Sequence, residues 1–115
     1  PWNTAIGLKA LMLNTTGTFN TAQGAYSLCA STTGSWNTAS GSYALYATTT
    51  GTYNTASGYY ALFTNTTGHT NTAVGSYALR SNTTGYYNSG FGRFSNHKRK
   101  LQQVYDFNFS SLSFN

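Results

Sequence analysis

At 115 residues the chain has room for one domain. Only 6% of its residues are charged while 17% are aromatic, a balance that excludes the high-charge, aromatic-poor composition of disordered chains. The formal charge of +5 sits at one end: up to Asn88 the charged side chains are Lys9 and Arg80, and Arg93, Lys98, Arg99, Lys100 and Asp106 follow.

Taken from its start, the chain opens on Pro1-Trp2, which reads as the end of a preceding repeat copy. Five copies follow at a step of 17 residues: NTAIGLKALMLNTTGTF from Asn3, NTAQGAYSLCASTTGSW from Asn20, NTASGSYALYATTTGTY from Asn37, NTASGYYALFTNTTGHT from Asn54 and NTAVGSYALRSNTTGYY from Asn71. A degraded copy, NSG, begins at Asn88. Within a copy, Asn-Thr-Ala opens, Gly is fifth, Leu is ninth, and Thr-Thr-Gly occupies positions 13 to 15. An aromatic stands last (Trp2, Phe19, Trp36, Tyr53, Tyr87), with Thr70 the exception. The fourth slot (Ile6, Gln23, Ser40, Ser57, Val74) and the tenth (Met12, Cys29, Tyr46, Phe63, Arg80) accept almost anything and are expected to face solvent or a partner.

Gly, Thr and aromatics in every copy argue against a helical repeat. Positions 3, 5, 7 and 9 stay nearly constant while 4, 6 and 10 vary, a period of two that predicts one inward-facing edge of extended chain. The expected fold is all-β: a parallel β-solenoid, or β-roll, of 17-residue coils over residues 1–92, each coil made of two short strands and two corners. The glycines at positions 5 and 15 are expected to supply positive φ or close backbone approach. Residues 93–115 form a basic and aromatic tail or cap, with 104–110 alternating Tyr105, Phe107 and Phe109 as a capping strand.

The predicted core is thin: Leu11, Leu28, Leu45, Leu62 and Leu79, with the inner-strand alanines Ala5, Ala22, Ala39, Ala56 and Ala73. So small a core, together with open solenoid ends, predicts a homo-oligomer, either a trimer or an end-to-end stacked fibre.

The unit NTAxGxxALxxNTTGxx resembles the tandem repeats of phage tail fibres and bacterial trimeric adhesins. Its NTAxG core is similar to the NSVAIG-type repeat in the heads of YadA-like trimeric adhesins, and the resemblance covers residues 1–92. It implies a left-handed parallel β-roll with three chains about one axis and Thr4-Ala5-Ile6-Gly7 and its equivalents facing that axis. Gln23, Ser40 and Ser57 depart from the Val or Ile of those heads, and the 17-residue coil is longer.

Catalytic chemistry is poorly provided for. One acidic residue and no Glu rule out a paired-carboxylate mechanism. Cys29 and His69 are the residue types of a nucleophile pair, but Cys29 fills a variable slot. No metal-ligand spacing or phosphate loop occurs, so no catalytic, metal or cofactor-binding residue is assigned and no cofactor is expected. Asn14, Asn65 and Asn82 each begin an N-x-Thr sequon in a corner expected to be exposed, as does Asn108 with Ser110 in the tail. Thr16, Thr33, Thr50, Thr67 and Thr84 stack into a Thr ladder, the pattern of an ice-binding face or of a stabilised corner. Tyr26, Tyr43, Tyr60 and Tyr77 suit ladder packing, or contact with a carbohydrate or a host-surface receptor. His97-Lys98-Arg99-Lys100 reads as a solvated basic run rather than a nucleic-acid motif, and no segment predicts membrane insertion.

The expected function is therefore a non-enzymatic structural or adhesive module of an extracellular fibre, adhesin or phage tail fibre. It is placed outside the cell, on the cell surface or on a virion tail. The alternatives are a self-assembling fibril subunit, with or without glycans, and an ice-binding protein.

Overall fold

The computed structural model describes residues 2–95 and 105–106. Six Thr-Ala-x segments form strands β1 (Thr4–Ile6), β2 (Thr21–Gln23), β3 (Thr38–Ser40), β4 (Thr55–Ser57), β5 (Thr72–Val74) and, with Ser-Gly in place of Thr-Ala, β6 (Ser89–Phe91). Each pairs in parallel with the next, Ala5 opposite Ala22, Ala22 opposite Ala39, and so on down to Gly90. The chain is an all-β parallel solenoid of about five turns, with no helix among the described residues. A seventh strand, β7 (Tyr105–Asp106), adds in parallel beside β6. The rest of the capping strand read from the alternation at 104–110 lies outside the described residues. So do the basic run 97–100 and Asn108.

The expectation of two strands per coil is corrected. Each coil has one strand of three residues, and the segment from position 5 to position 12 is a chain of overlapping turns. In the third coil the N–H groups of Ala44, Tyr46 and Thr48 donate to the carbonyls of Gly41, Tyr43 and Leu45, at 3.2, 3.3 and 3.2 Å. The N–H groups between them reach other coils: Tyr43 to Ala25, Leu45 to Ala61 and Ala47 to Phe63. Even positions close turns and odd positions bind neighbours. The period of two in the sequence thus comes from alternating hydrogen-bond duties as much as from a pleat.

Those turns require a left-handed backbone at residues that rarely adopt it. Position 7 (Lys9, Tyr26, Tyr43, Tyr60, Tyr77, Phe94) lies at φ between 57 and 63°, and the core leucines lie between 49 and 54°. Position 17 (Trp2, Phe19, Trp36, Tyr53, Thr70, Tyr87) lies between 55 and 63°. Each such non-glycine residue costs about 1–2 kcal/mol, so the corners persist only because neighbouring coils over-determine them. Both glycine positions give close approach, and one of them supplies positive φ as well. Gly41 and its equivalents take φ between 109 and 136°. A Cβ on Gly41 would also meet the backbone of Gly58, and one on Gly51 or its equivalents would strike the carbonyl oxygen of the next coil's glycine.

Leu28, Leu45 and Leu62 are fully enclosed, and Leu11 and Leu79 are buried near the two ends. They pack on Ala22, Ala39, Ala56 and Ala73 and on a second alanine file, Ala44, Ala61 and Ala78. Ala5, in the outermost described coil, is exposed. Each enclosed leucine contributes about 1.5–3 kcal/mol.

Half of the interior is polar. Asn20, Asn37, Asn54, Asn71 and Asn88, the first residue of successive copies, are buried in a single file. The backbone N–H of each donates to Oδ1 of the Asn one coil earlier, at 2.8–3.0 Å. The Nδ2 of Asn20, Asn37, Asn54 and Asn71 donates to the carbonyl of its own coil's position-15 glycine at 2.8 Å. A buried polar group is stabilising only when satisfied, and this file satisfies itself by repetition as far as its last member, Asn88, whose buried Oδ1 has no hydrogen-bond partner among the described residues. That accounts for an Asn at the head of all six copies.

Candidate functional site

With the interior committed to packing and ladders, what the roll offers a partner is its lateral surface. The strands present position 2 and position 4 outward while position 3 turns in, so Thr38 and Thr55 are exposed beside the buried Ala39 and Ala56. Slot 4 is exposed at Ile6, Gln23, Ser57 and Val74 and half-buried at Ser40. Slot 10 is mixed: Met12 and Arg80 are exposed, Tyr46 and Phe63 half-buried, and Cys29 buried.

Two ring columns run along the roll. The first is the position-17 file: Trp2, Phe19, Trp36 and Tyr53 stack within 8° of parallel, at centroid separations of 5.3, 4.2 and 5.9 Å. All four are exposed, from 41 to 74%. Their faces cover one another, so a partner approaching from the side meets ring edges, the electropositive rim of the π system. The file stops at Thr70. Beside it, His69 and Tyr86 stack at 5.2 Å, and Tyr87 stands edge-on to His69.

The second column is the position-7 file. Tyr26, Tyr43, Tyr60, Tyr77 and Phe94 follow at 4.9, 5.1, 5.4 and 4.8 Å, flanked by the Tyr46–Phe63 pair at 5.2 Å. Cations close both of its ends: Lys9 Nζ lies 5.7 Å from the Tyr26 ring centre, and the Arg93 guanidinium lies 4.9 Å from that of Phe94. Desolvation among these rings holds the Tyr43 phenol above its ordinary range, with the phenols of Tyr26, Tyr60 and Tyr46 and the Cys29 thiol adding to it. Tyr59 is raised in the same direction, by desolvation first and by Tyr60 next.

The Thr-Thr corner splits into two files with different duties. At position 13, Thr15, Thr32, Thr49 and Thr66 turn their hydroxyls to the carbonyl of the next coil's threonine. At position 14, Thr16, Thr33, Thr50, Thr67 and Thr84 are all exposed, so the outward hydroxyls form a single file rather than a plane.

The sequon corner is not where its exposure was expected. Asn65 and Asn82 are buried, and Asn14 is half-buried. Asn65 Nδ2 donates to the Gly68 carbonyl at 3.1 Å, and Asn82 Nδ2 donates to Asn65 Oδ1 at 2.9 Å. The side chain turns inward because the carbonyl of the glycine three residues on lies within its reach, as Gly17 does for Asn14. A glycan on Asn65 or Asn82 would have no room in this packing. In the same file Ser31 interrupts the asparagines, and both its hydroxyl and Asn14 Oδ1 are buried without a hydrogen-bond partner.

Cys29 and His69 stand in different slots two coils apart, and Cys29 is 5% exposed. Among the described residues no three His, Cys, Asp or Glu side chains gather, and no helix is long and apolar enough to cross a membrane. No protein-family model, curated protein or solved structure matches the chain.

Reading the sequence missed the asparagine file and the left-handed corners. The first had a signal: position 1 is Asn in all six copies, whereas position 12 drifts among Asn, Ser and Thr. The second had none, because Leu, Tyr and Trp carry no preference for positive φ.

Proposed function

We propose that the chain is a non-enzymatic structural and adhesive module of an extracellular fibre, adhesin or phage tail fibre, working as a homo-oligomer. The observation that carries the reading is the exposed ring column Trp2–Phe19–Trp36–Tyr53 on a roll whose body is almost uncharged. A contiguous apolar surface of this kind marks an interaction site, and copies with so few charges do not repel one another. The coil interior supports the same reading. Its Leu, Ala and Asn files repeat while the lateral slots vary, which suits a rigid spacer that can be lengthened by copies and decorated at will. Multivalent attachment through a few weak contacts per copy then follows from oligomerisation.

Light scattering on the purified chain tests this. A trimer or a longer assembly, weakened by Trp36→Ala, is expected. A protein that stays a compact monomer at every concentration refutes the reading.

A further inference from the structure

The position-17 ring column has one missing rung, and the residue that interrupts it is the least suited to its place. Thr70 sits at φ 55°, in the corner where the other copies carry Trp, Phe or Tyr. A β-branched residue in the left-handed region is a genuine outlier, and Thr also forfeits ring stacking with both neighbours, about 0.5–1.5 kcal/mol per pair. A strained residue that breaks a local rule points to function rather than to stability.

The consequence is a notch. Tyr53 stacks on Trp36 with one face, and no ring among the described residues stacks on the other. Two coil steps separate the Tyr53 and Tyr87 rungs, roughly 9–10 Å at strand spacing, so about 6 Å is left once ring thickness is allowed for. That admits one six-membered ring. The floor is Thr70, whose Oγ1 lies 3.1 Å from His69 Nδ1, which leaves the imidazole Nε2 for a ligand. Tyr53 and Tyr87, the rungs on either side, are 59% and 51% exposed. No closed cavity opens among the described residues; the notch is an open platform.

We propose that the Tyr53–Thr70–Tyr87 notch binds a pyranose ring of a saccharide. The apolar face of the sugar lies on the free face of Tyr53, and its hydroxyls reach Thr70 Oγ1 and His69 Nε2. An aromatic side chain would satisfy the ring face but not those polar groups, so the saccharide is favoured. The site names a ligand class for the adhesive part of the proposed function and rests on that part alone.

The test is saturation-transfer NMR on the whole chain with methyl β-glucopyranoside, methyl β-galactopyranoside, methyl α-mannopyranoside and N-acetylglucosamine, with p-cresol as the aromatic probe. At least one pyranoside is expected to bind with millimolar affinity and to shift the Tyr53 ring and Thr70 methyl signals. Thr70→Tyr fills the notch and is expected to weaken binding at least about tenfold while raising thermal stability, because Tyr53 and Tyr87 already occupy this corner at φ 58 and 57°. Thr70→Val keeps the shape but lacks the hydroxyl and is expected to weaken binding less. Thr16→Ala, at an exposed hydroxyl of the first coil, should leave it unchanged. No pyranoside binding at about 50 mM overturns the proposal, as does undiminished binding by Thr70→Tyr, or binding of p-cresol alone. An assembly that binds no sugar sinks the site and spares the fibre reading; a monomer that binds sugar does the reverse.

Discussion

Replacing Asn54 by alanine cuts the buried asparagine file at its centre, and the cost can be worked from the contacts. Asn54 Nδ2 donates to the Gly68 carbonyl at 2.8 Å and to Asn37 Oδ1 at 3.2 Å, and its Oδ1 accepts the backbone N–H of Asn71 at 3.0 Å. After truncation the Gly68 carbonyl keeps Asn65 Nδ2, and Asn37 Oδ1 keeps the Asn54 N–H. Asn71 Nδ2 keeps the Gly85 carbonyl. The Asn71 N–H keeps nothing. One orphaned buried donor costs about 1–3 kcal/mol and each of the three lost bonds with a remaining partner, that of Asn71 Nδ2 to Asn54 Oδ1 included, about 0.5–1.5, so about 3–6 kcal/mol is expected in all. Thr50→Ala, at an exposed hydroxyl of the same roll, is the control and should stay within about 0.5 kcal/mol. Urea unfolding followed by circular dichroism reads the difference, provided the slope is unchanged. Hydrogen exchange should show the Asn71 amide losing protection first, since coils couple mainly to their neighbours. If Asn54→Ala lies within about 1 kcal/mol of the control, the asparagine file is not what holds the coils together.

Ser31→Asn should stabilise the protein by about 1 kcal/mol, by giving Asn14 Oδ1 the amide donor that Asn82 gives Asn65; a lower melting temperature would contradict this. Gly51→Ala should cost about 1–3 kcal/mol or more, because its methyl meets the Gly68 carbonyl oxygen and lies 3.1 Å from Asn54 Nδ2. A neutral result would mean the coils are less closely spaced. The phenol of Tyr43 holds its proton to higher pH in the fold than in the unfolded chain, where it titrates near 10.0. Its stabilisation is therefore present in full below that unfolded value and lost as the pH rises through the folded one. Alkaline melting curves should fall more steeply for the wild type than for Tyr43→Phe, and equal slopes would refute the assignment.

The fold class was legible because a 17-residue period with constant small and apolar positions has few solutions other than one coil per copy. The leucine and alanine positions could be read for the same reason: constancy across copies stands in for burial. What the coil does between its fifth and twelfth positions could not be read. Alternation of hydrogen-bond duties in turns mimics the alternation of a strand, and left-handed Leu45 or Tyr43 looks like any other Leu or Tyr. The sequon corner misled for a related reason. Asn is a good turn residue at the surface, yet inside a repeat it finds a carbonyl within reach in every coil and turns inward, as Asn65 and Asn82 do. The missing rung at Thr70 was visible as the one non-aromatic last residue. Its meaning needed the stacking of Trp36 on Tyr53 to show which ring face it leaves open.

The central claim is that 17 residues make one turn of a parallel roll. Scalar couplings across hydrogen bonds test it directly, because they identify donor and acceptor without assuming any fold. The N–H groups of Thr21, Thr38 and Thr55 should couple to the carbonyl carbons of Asn37, Asn54 and Asn71, bonds of 2.9, 2.8 and 2.8 Å. Couplings to carbonyls four residues back, or to partners in an antiparallel register, would contradict it.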